Sequence, residues 1–244
     1  MQEAPEAAVV TGASAGIGQA IAQTLLARGM TVVTLQRSAP KLSHPNLRWR
    51  AVDLTDLAAT RAVADEIAKE LPVRYLVNNA GANCPNPLDR ATVEELHYVT
   101  TITLGAAMVL TQIFVPQMRA ARYGRIVNIS SRAALGKYGR TVYSSAKAGL
   151  IGMTRTIAIE VGGDGITVNA VVPGPVATDH FNRGHPPGSA QRQTVVDGIL
   201  VGRVGTPDDV AHAVGFLLER ASGYITGQAI FVCGGTSVTG TGGQ

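Results

Sequence analysis

Seven short runs of apolar, mostly β-branched residues punctuate the chain, at 7–12, 31–36, 47–53, 74–81, 124–131, 165–174 and 228–235. Most are apolar almost without a break. That pattern suits strands buried on both faces of a parallel sheet rather than strands with one wet face. Between them, apolar positions recur at helical spacing near 16–29, 56–70, 92–120, 143–162 and 207–219. Alternating β and α segments of these lengths predict an α/β fold, a doubly wound parallel seven-stranded sheet with right-handed crossovers. The clearest helix start is Thr206-Pro207-Asp208-Asp209, which offers a hydroxyl cap, a proline for the first turn and two acids at the positive end of the dipole. Residues 175–203 show no clear period and read as a long irregular connection, the usual form of a functional lid.

Composition narrows the picture. The chain has 244 residues, 45% hydrophobic and 16% charged, enough to build one globular core and too apolar for global disorder. No linker or repeat divides it, so residues 1–244 read as a single domain with a lid at about 175–203. Aromatics make up only 5%, which argues against a stacking platform for single-stranded nucleic acid. The net charge of +4 comes from 21 scattered basic residues against 17 acidic ones, so no nucleic-acid partner is expected. No apolar stretch approaches the ~20 residues of a membrane span, and the start of the chain has two acids and no basic n-region, unlike a signal peptide. Cys84 and Cys233 are too few and too far apart for a disulfide framework or a metal site. A cytoplasmic protein without membrane or metal partners is the expectation.

The candidate chemistry starts where the first strand ends. Gly12, Ser14, Gly16, Ile17 and Gly18 lie in the turn Thr11-Gly-Ala-Ser-Ala-Gly-Ile-Gly18, directly before a helix. Glycines there let backbone N–H groups approach a pyrophosphate, and the helix N-terminus favours the anion. The spacing is G-x-x-x-G-x-G rather than G-x-G-x-x-G. Gly12-Ala13-Ser14-Ala15-Gly16 also matches the G-x-S-x-G elbow of hydrolases. That elbow needs an oxyanion-hole N–H from an earlier strand's loop, and too little chain precedes Gly12 to supply one. The second strand ends Gln36-Arg37, with no carboxylate for a ribose 2′-hydroxyl. A guanidinium suits a 2′-phosphate, so Arg37 favours NADP(H), with NAD(H) still open. Asp53, ending the third strand, is placed either to accept from the adenine amino group or to cap the helix that follows.

Tyr143 and Lys147 stand at i and i+4, one turn apart on one helix face. A neighbouring cation stabilises a phenolate and lowers its pKa, which makes the pair a candidate general acid/base. With this pair the ordered motifs become distinctive. Thr11-Gly-x-x-x-Gly-x-Gly18, Asn78-Asn79-Ala80-Gly81, a serine ending the run 124–131, Tyr143-x-x-x-Lys147 and Pro173-Gly174 follow one another along the whole chain. Together they resemble the short-chain dehydrogenase/reductase family, and the tail from Gly202 to Gln228 resembles its ketoacyl-carrier-protein-reductase-like members.

The resemblance implies a Rossmann-type three-layer sandwich and a small-molecule carbonyl or alcohol substrate, in a homotetramer. It implies that Tyr143 gives the proton to a carbonyl, that Lys147 binds the nicotinamide ribose, and that a serine holds the substrate oxygen. Anchoring on Gly124–Ile129 makes that serine Ser131; counting back from Tyr143 by the commoner family spacing makes it Ser130. Strand alternation sends the two to opposite faces, so one of them serves. Leu54, Asn79, Ala80 and Gly81 are implied beside the adenosine and pyrophosphate; Pro173, Gly174, Val176 and Thr178 are implied beside the nicotinamide. Family members usually carry an asparagine in the long fourth helix to hold a proton-relay water, and Thr103 takes that place here. Cys233-Gly234-Gly235 replaces a common Asp-Gly-Gly. Two other readings remain: a non-catalytic NADP-binding regulator, opposed by the intact Tyr143/Lys147 pair, and a dehydratase or epimerase, opposed by the short chain beyond residue 204.

Overall fold

The computed structural model describes residues 6–239. Seven parallel strands form one sheet: β1 (Ala7–Thr11), β2 (Thr31–Gln36), β3 (Leu47–Ala51), β4 (Val73–Asn78), β5 (Gly124–Ile129), β6 (Ile166–Pro173) and β7 (Ala229–Val232). Their order across the sheet is β3-β2-β1-β4-β5-β6-β7. The helices α1 (Gly16–Ala27), α2 (Leu57–Glu70), α3 (Val93–Thr100), α4 (Ala106–Ala120) and α5 (Thr141–Val161) connect the first six strands, except that β2 passes to β3 without a helix, and α8 (Pro207–Leu218) precedes the seventh.

Alternation along each strand feeds two separate cores. Val9, Val33, Leu76 and Ile126 join Leu110, Phe114 and Ile67 on the face covered by α2, α4 and α5. Their neighbours Val10, Val32, Val77 and Val127 join Ile21, Leu25, Val214 and Leu217 beneath α1 and α8. Each fully buried aliphatic side chain contributes roughly 1.5–3 kcal/mol. This double burial is why the strands read as continuous apolar runs. The edge strands are the exceptions: β3 turns Arg48 and Trp49 out to solvent, and β7 is only half-buried.

The helix starts follow local chemistry. Thr206 and Asp209 form a capping box with Pro207 in the first turn of α8, and Thr92 with Glu95 does the same for α3. Asp56, not Asp53, caps α2 by accepting from the Ala59 N–H. Asp53 instead accepts from the Thr55 amide and hydroxyl in its own turn.

Two expectations from periodicity are corrected. The expected helix over 92–120 is interrupted by a π-helical turn at Thr101–Gly105, between α3 and α4. The segment 175–203 is not wholly irregular. It holds two short helices, α6 (Asp179–Gly184) and α7 (Ala190–Asp197). Neither buries any residue, so no apolar period marks them. The helical run Val93–Ala120 is long and apolar enough to cross a membrane, against the expectation that no stretch would be. Its apolar positions Leu110, Phe114 and Met118 are already spent on the sheet, where they are fully buried.

Strand order reverses between β1 and β4. Ligands of open α/β sheets bind in the crevice at such a switch point, outside the carboxyl ends of the strands. The glycine turn after β1 and the Asn78–Gly81 segment after β4 both open there.

Candidate active site

The first wall of the crevice is built from backbone. Gly12 and Gly16 both adopt positive φ, +67° and +59°, which a side chain at either position would strain. Thr11 locks this turn to the end of β4: its hydroxyl accepts the amides of Asn79 and Ala80, each at 2.9 Å. Asn79 answers by donating Nδ2 to the carbonyls of Thr11 and Gly12 at 2.9 and 3.0 Å. The N-terminus of α1 is left open. Its cap residue Ala15 has no side chain to bond the first-turn amides, and the first turn carries no acid. Free amides at a helix start, reached over glycines, fit a pyrophosphate.

Gly18 supports the turn from behind. A Cβ there would collide with the Gly12 carbonyl oxygen and stand 2.5 Å from Asn79 Nδ2. Gly18→Ala is expected to cost roughly 1–3 kcal/mol by overpacking. A lower urea midpoint together with weaker cofactor binding checks it; a variant as stable as wild type would show that the turn yields freely.

The cleft has a volume of about 1780 Å³. Ile17, Asn79, Gly81, Ser131, Tyr143 and Lys147 line it. So do Pro173, Gly174, Val176 and Thr178 from the far side. Val176 is pinned by a bridge to Gly205, and the Thr178 hydroxyl caps α6 by accepting from the Phe181 amide. Gly12, Ser14, Gly16 and Gly18 form the turn at one end, and Ala80 packs against Gly12. Arg37 lies beyond that turn, 74% exposed, with Nη1 3.8 Å from Asp53 Oδ2. Leu54 is buried among the core aliphatics, so its side chain is turned away from the cleft.

The polar residues converge at the inner end. Lys147 is buried and its Nζ donates to the Ile129 carbonyl at 2.7 Å. Burial pushes its pKa down to about 8. Ser130 is also buried, and its hydroxyl donates to the Lys147 carbonyl at 2.8 Å. Ser131 turns the other way, near enough to the Tyr143 phenol to lower its pKa, while its hydroxyl caps the short 3₁₀ turn Arg132–Leu135 by accepting from the Ala133 amide at 3.2 Å. Of the two serines, only Ser131 has a hydroxyl directed at the phenol.

The Tyr143 phenol does not behave as the helical spacing alone suggests. Burial raises its pKa, and the pull back downward comes from Ser131 and the Arg140 guanidinium. Lys147 Nζ stands 5.8 Å from the ring centroid. The arrangement is a proton-holding phenol, a hydroxyl beside it and a buried ammonium, all on one cleft wall. It can deliver a proton to an oxygen seated between Ser131 and Tyr143.

Comparison with known proteins shows the family. Residues 12–237 match a family model described as enoyl-(acyl carrier protein) reductase. The chain is 38% identical over 236 residues to the 3-oxoacyl-(acyl-carrier-protein) reductase of Escherichia coli, covering 93% of this chain and 96% of that one. It is 36% identical over 231 residues to the corresponding reductase of Rickettsia prowazekii, covering 93% and 95%. A solved protein of Beutenbergia cavernae, assigned as an NAD(P)-dependent gluconate 5-dehydrogenase and holding NADP, superposes with a TM-score of 0.87 at 33% identity, covering 96% of this chain and 97% of that one. The chain is a short-chain dehydrogenase/reductase. It is an NAD(P)-dependent oxidoreductase, as that family is.

Several features of this dehydrogenase/reductase escape sequence reasoning. Asn128 donates to Thr154 at 2.8 Å and accepts from Asn78 at 2.8 Å, a buried polar chain tying β4 and β5 to α5. An asparagine within an apolar strand was the available signal. Tyr98 of α3 and Val195 of α7 also line the cleft. Cys233 is buried against Gly174, with Sγ 3.2 Å from Ser237 Oγ, so it serves packing.

Proposed function

We propose that this enzyme interconverts a carbonyl and a secondary alcohol with NADP(H), using Tyr143 as general acid/base. The observation that carries the reading is the convergence of Ser131, Tyr143 and Lys147 in the cleft beside an open helix start. The nicotinamide cofactor supplies the hydride when bound. The open amides at the start of α1 and the glycine turn hold its pyrophosphate, with Asn79–Gly81 alongside and Val176 and Thr178 toward the nicotinamide. Arg37 holds the 2′-phosphate. In reduction, the Ser131 hydroxyl orients the substrate oxygen and Tyr143 Oη donates its proton to it. Lys147 donates to the cofactor ribose. Asp53 and Leu54 flank the adenosine through backbone and turn, and residues 175–203 close over the substrate.

A panel of ketones and secondary alcohols, run with both cofactors, tests this. Turnover of any ketone with NADPH supports it; cofactor binding without any turnover favours a regulator. The exposed apolar side chains Met108 of α4 and Ile159 of α5 support a homotetramer built through these helices. We infer a cytoplasmic location from the same family likeness.

Thr103 deepens the proton pathway. It sits in the π turn, is 2% exposed, and its hydroxyl has no hydrogen-bond partner among the described residues. A Cβ on Gly81 would stand 3.2 Å from Lys147 Nζ and 3.5 Å from Thr103 Oγ1, so both polar atoms face the same backbone. A threonine hydroxyl has one donor where an asparagine amide has two and reaches farther. Thr103→Asn is therefore expected to raise turnover and shrink the solvent isotope effect in a variant of unchanged melting temperature. An unchanged rate and isotope effect would remove Thr103 from the relay.

A further inference from the structure

Arginines elsewhere on this surface find carboxylates. Arg50, Arg119, Arg203 and Arg220 pair with Glu70, Asp164, Asp209 and Glu6 at 2.6–2.9 Å. The cations at the outer end of the cleft do not. Arg132, Lys137 and Arg140 all line it from the segment between β5 and α5, and none forms an ion pair among the described residues. Arg183 of α6 also lines the cleft and forms no ion pair among the described residues. The cleft lining contains one carboxylate among the described residues, Asp197. Its Oδ1 already accepts the Gln193 amide at 2.7 Å.

Arg140 is the decisive member. Its Nη1 is buried and has no hydrogen-bond partner among the described residues. A solvated surface arginine would keep that donor in water. A buried charged donor without an acceptor loses its hydration with nothing in return, unless a ligand supplies the acceptor. Lys137 is exposed as a whole, but loss of water around its ammonium and repulsion from Arg140 and Arg132 hold it below the ordinary lysine range. An anion between them relieves that repulsion. Arg140 is also the cap residue of α5, whose first turn carries no acid to compete.

We propose that Arg140, flanked by Lys137 and Arg132, forms a subsite for an anionic group carried by the carbonyl substrate itself, a carboxylate or a phosphate. The subsite rests on the reductase reading and names its substrate class: short keto acids or phosphorylated ketones. It is distinct from the place of the cofactor's own phosphates. The glycine turn follows β1, two strands away from β5 in the sheet, and Arg37 lies farther still after β2. Arg140 precedes Tyr143 by three residues, about one helical turn. A substrate bound at both has only a few bonds between its anionic group and its carbonyl. A guanidinium fork matches either oxyanion.

Matched pairs of substrates test the subsite: acetoacetate against acetoacetamide, levulinate against levulinamide, and dihydroxyacetone phosphate against dihydroxyacetone. The wild-type enzyme is expected to favour the charged member of at least one pair by about tenfold or more in kcat/KM, as for a charge-assisted hydrogen bond. Which pair shows it separates carboxylate from phosphate. Arg140→Gln is expected to bring the ratio to within about threefold of one, and Lys137→Gln to lower it less. The ratio cancels any effect of Arg140 on the Tyr143 phenol. Neutral and charged members reduced equally well, or a preference that survives both substitutions, would overturn the subsite and leave the reductase reading intact. Should no carbonyl be reduced, the reductase reading fails, and calorimetric titration of the NADPH-loaded enzyme with malonate and with inorganic phosphate still decides the subsite. Binding abolished by Arg140→Gln upholds it, and no binding to wild type sinks it.

Discussion

Tyr143→Phe is expected to bind NADPH with near wild-type affinity and to lose turnover by roughly 10²–10⁴-fold. The substitution keeps the ring on its wall of the cleft and removes only Oη. The glycine turn and the open helix start, which are proposed to hold the cofactor, are untouched. What disappears is the proton that must reach the carbonyl oxygen as hydride reaches the carbon. Burial holds the phenol above its ordinary range, so it stays protonated through neutral pH. Reduction is therefore expected to be flat with pH up to the phenol's titration and to decline above it. Oxidation of an alcohol needs the phenolate and is expected to rise over the same interval. Fluorescence titration of NADPH and steady-state rates check both parts. A variant that keeps more than about a tenth of the wild-type rate would show that the proton comes from elsewhere.

Arg37→Ala is expected to weaken NADPH by roughly ten- to a hundredfold, from the loss of a charge-assisted hydrogen bond of about 1.5–3 kcal/mol, while hardly changing NADH. The local chemistry allows that size of effect. Arg37 is 74% exposed, and its only ionic partner among the described residues is Asp53 at 3.8 Å. Exposed pairs of that kind are worth about 0–1 kcal/mol, so a phosphate displaces Asp53 readily. No carboxylate stands at the end of β2 to select a free 2′-hydroxyl. There Gln36 accepts the Ala13 amide and donates to Thr34, and so braces the turn. Ala15 adds no second cation to the glycine turn, which limits the preference. Dissociation constants for both cofactors in both proteins check this, and equal values in wild type would refute the role of Arg37.

How much of this was readable beforehand depended on burial. The central strands were visible because they face a core on both sides, and the cofactor turn was visible because glycine and the threonine before it have few other uses there. The short helices α6 and α7 bury nothing, so periodicity could not reveal them; their caps Thr178 and Ser189 were the only signals. The π turn at Thr101–Gly105 keeps the apolar spacing of the helices around it and leaves no trace in composition. Ser130 and Ser131 differ only by strand alternation, which needs the register of β5 to settle. Asp53 and Asp56 both follow β3 at distances fit for a cap, and only coordinates show that Asp56 takes it. The influence of Arg140 on Tyr143 was hidden for a different reason. Helical spacing points to Lys147, whereas Arg140 reaches the phenol from the cap position.

The most direct test of hydride transfer is an isotope experiment. The enzyme is incubated with NADPH deuterated at the transferable position of the nicotinamide and with any ketone or keto acid it consumes, and the product alcohol is examined by mass spectrometry and NMR. The structure predicts one deuterium on the carbinol carbon, with the hydroxyl proton drawn from solvent through Tyr143. A product without deuterium at that carbon, formed while the cofactor remains reduced, would contradict the assignment.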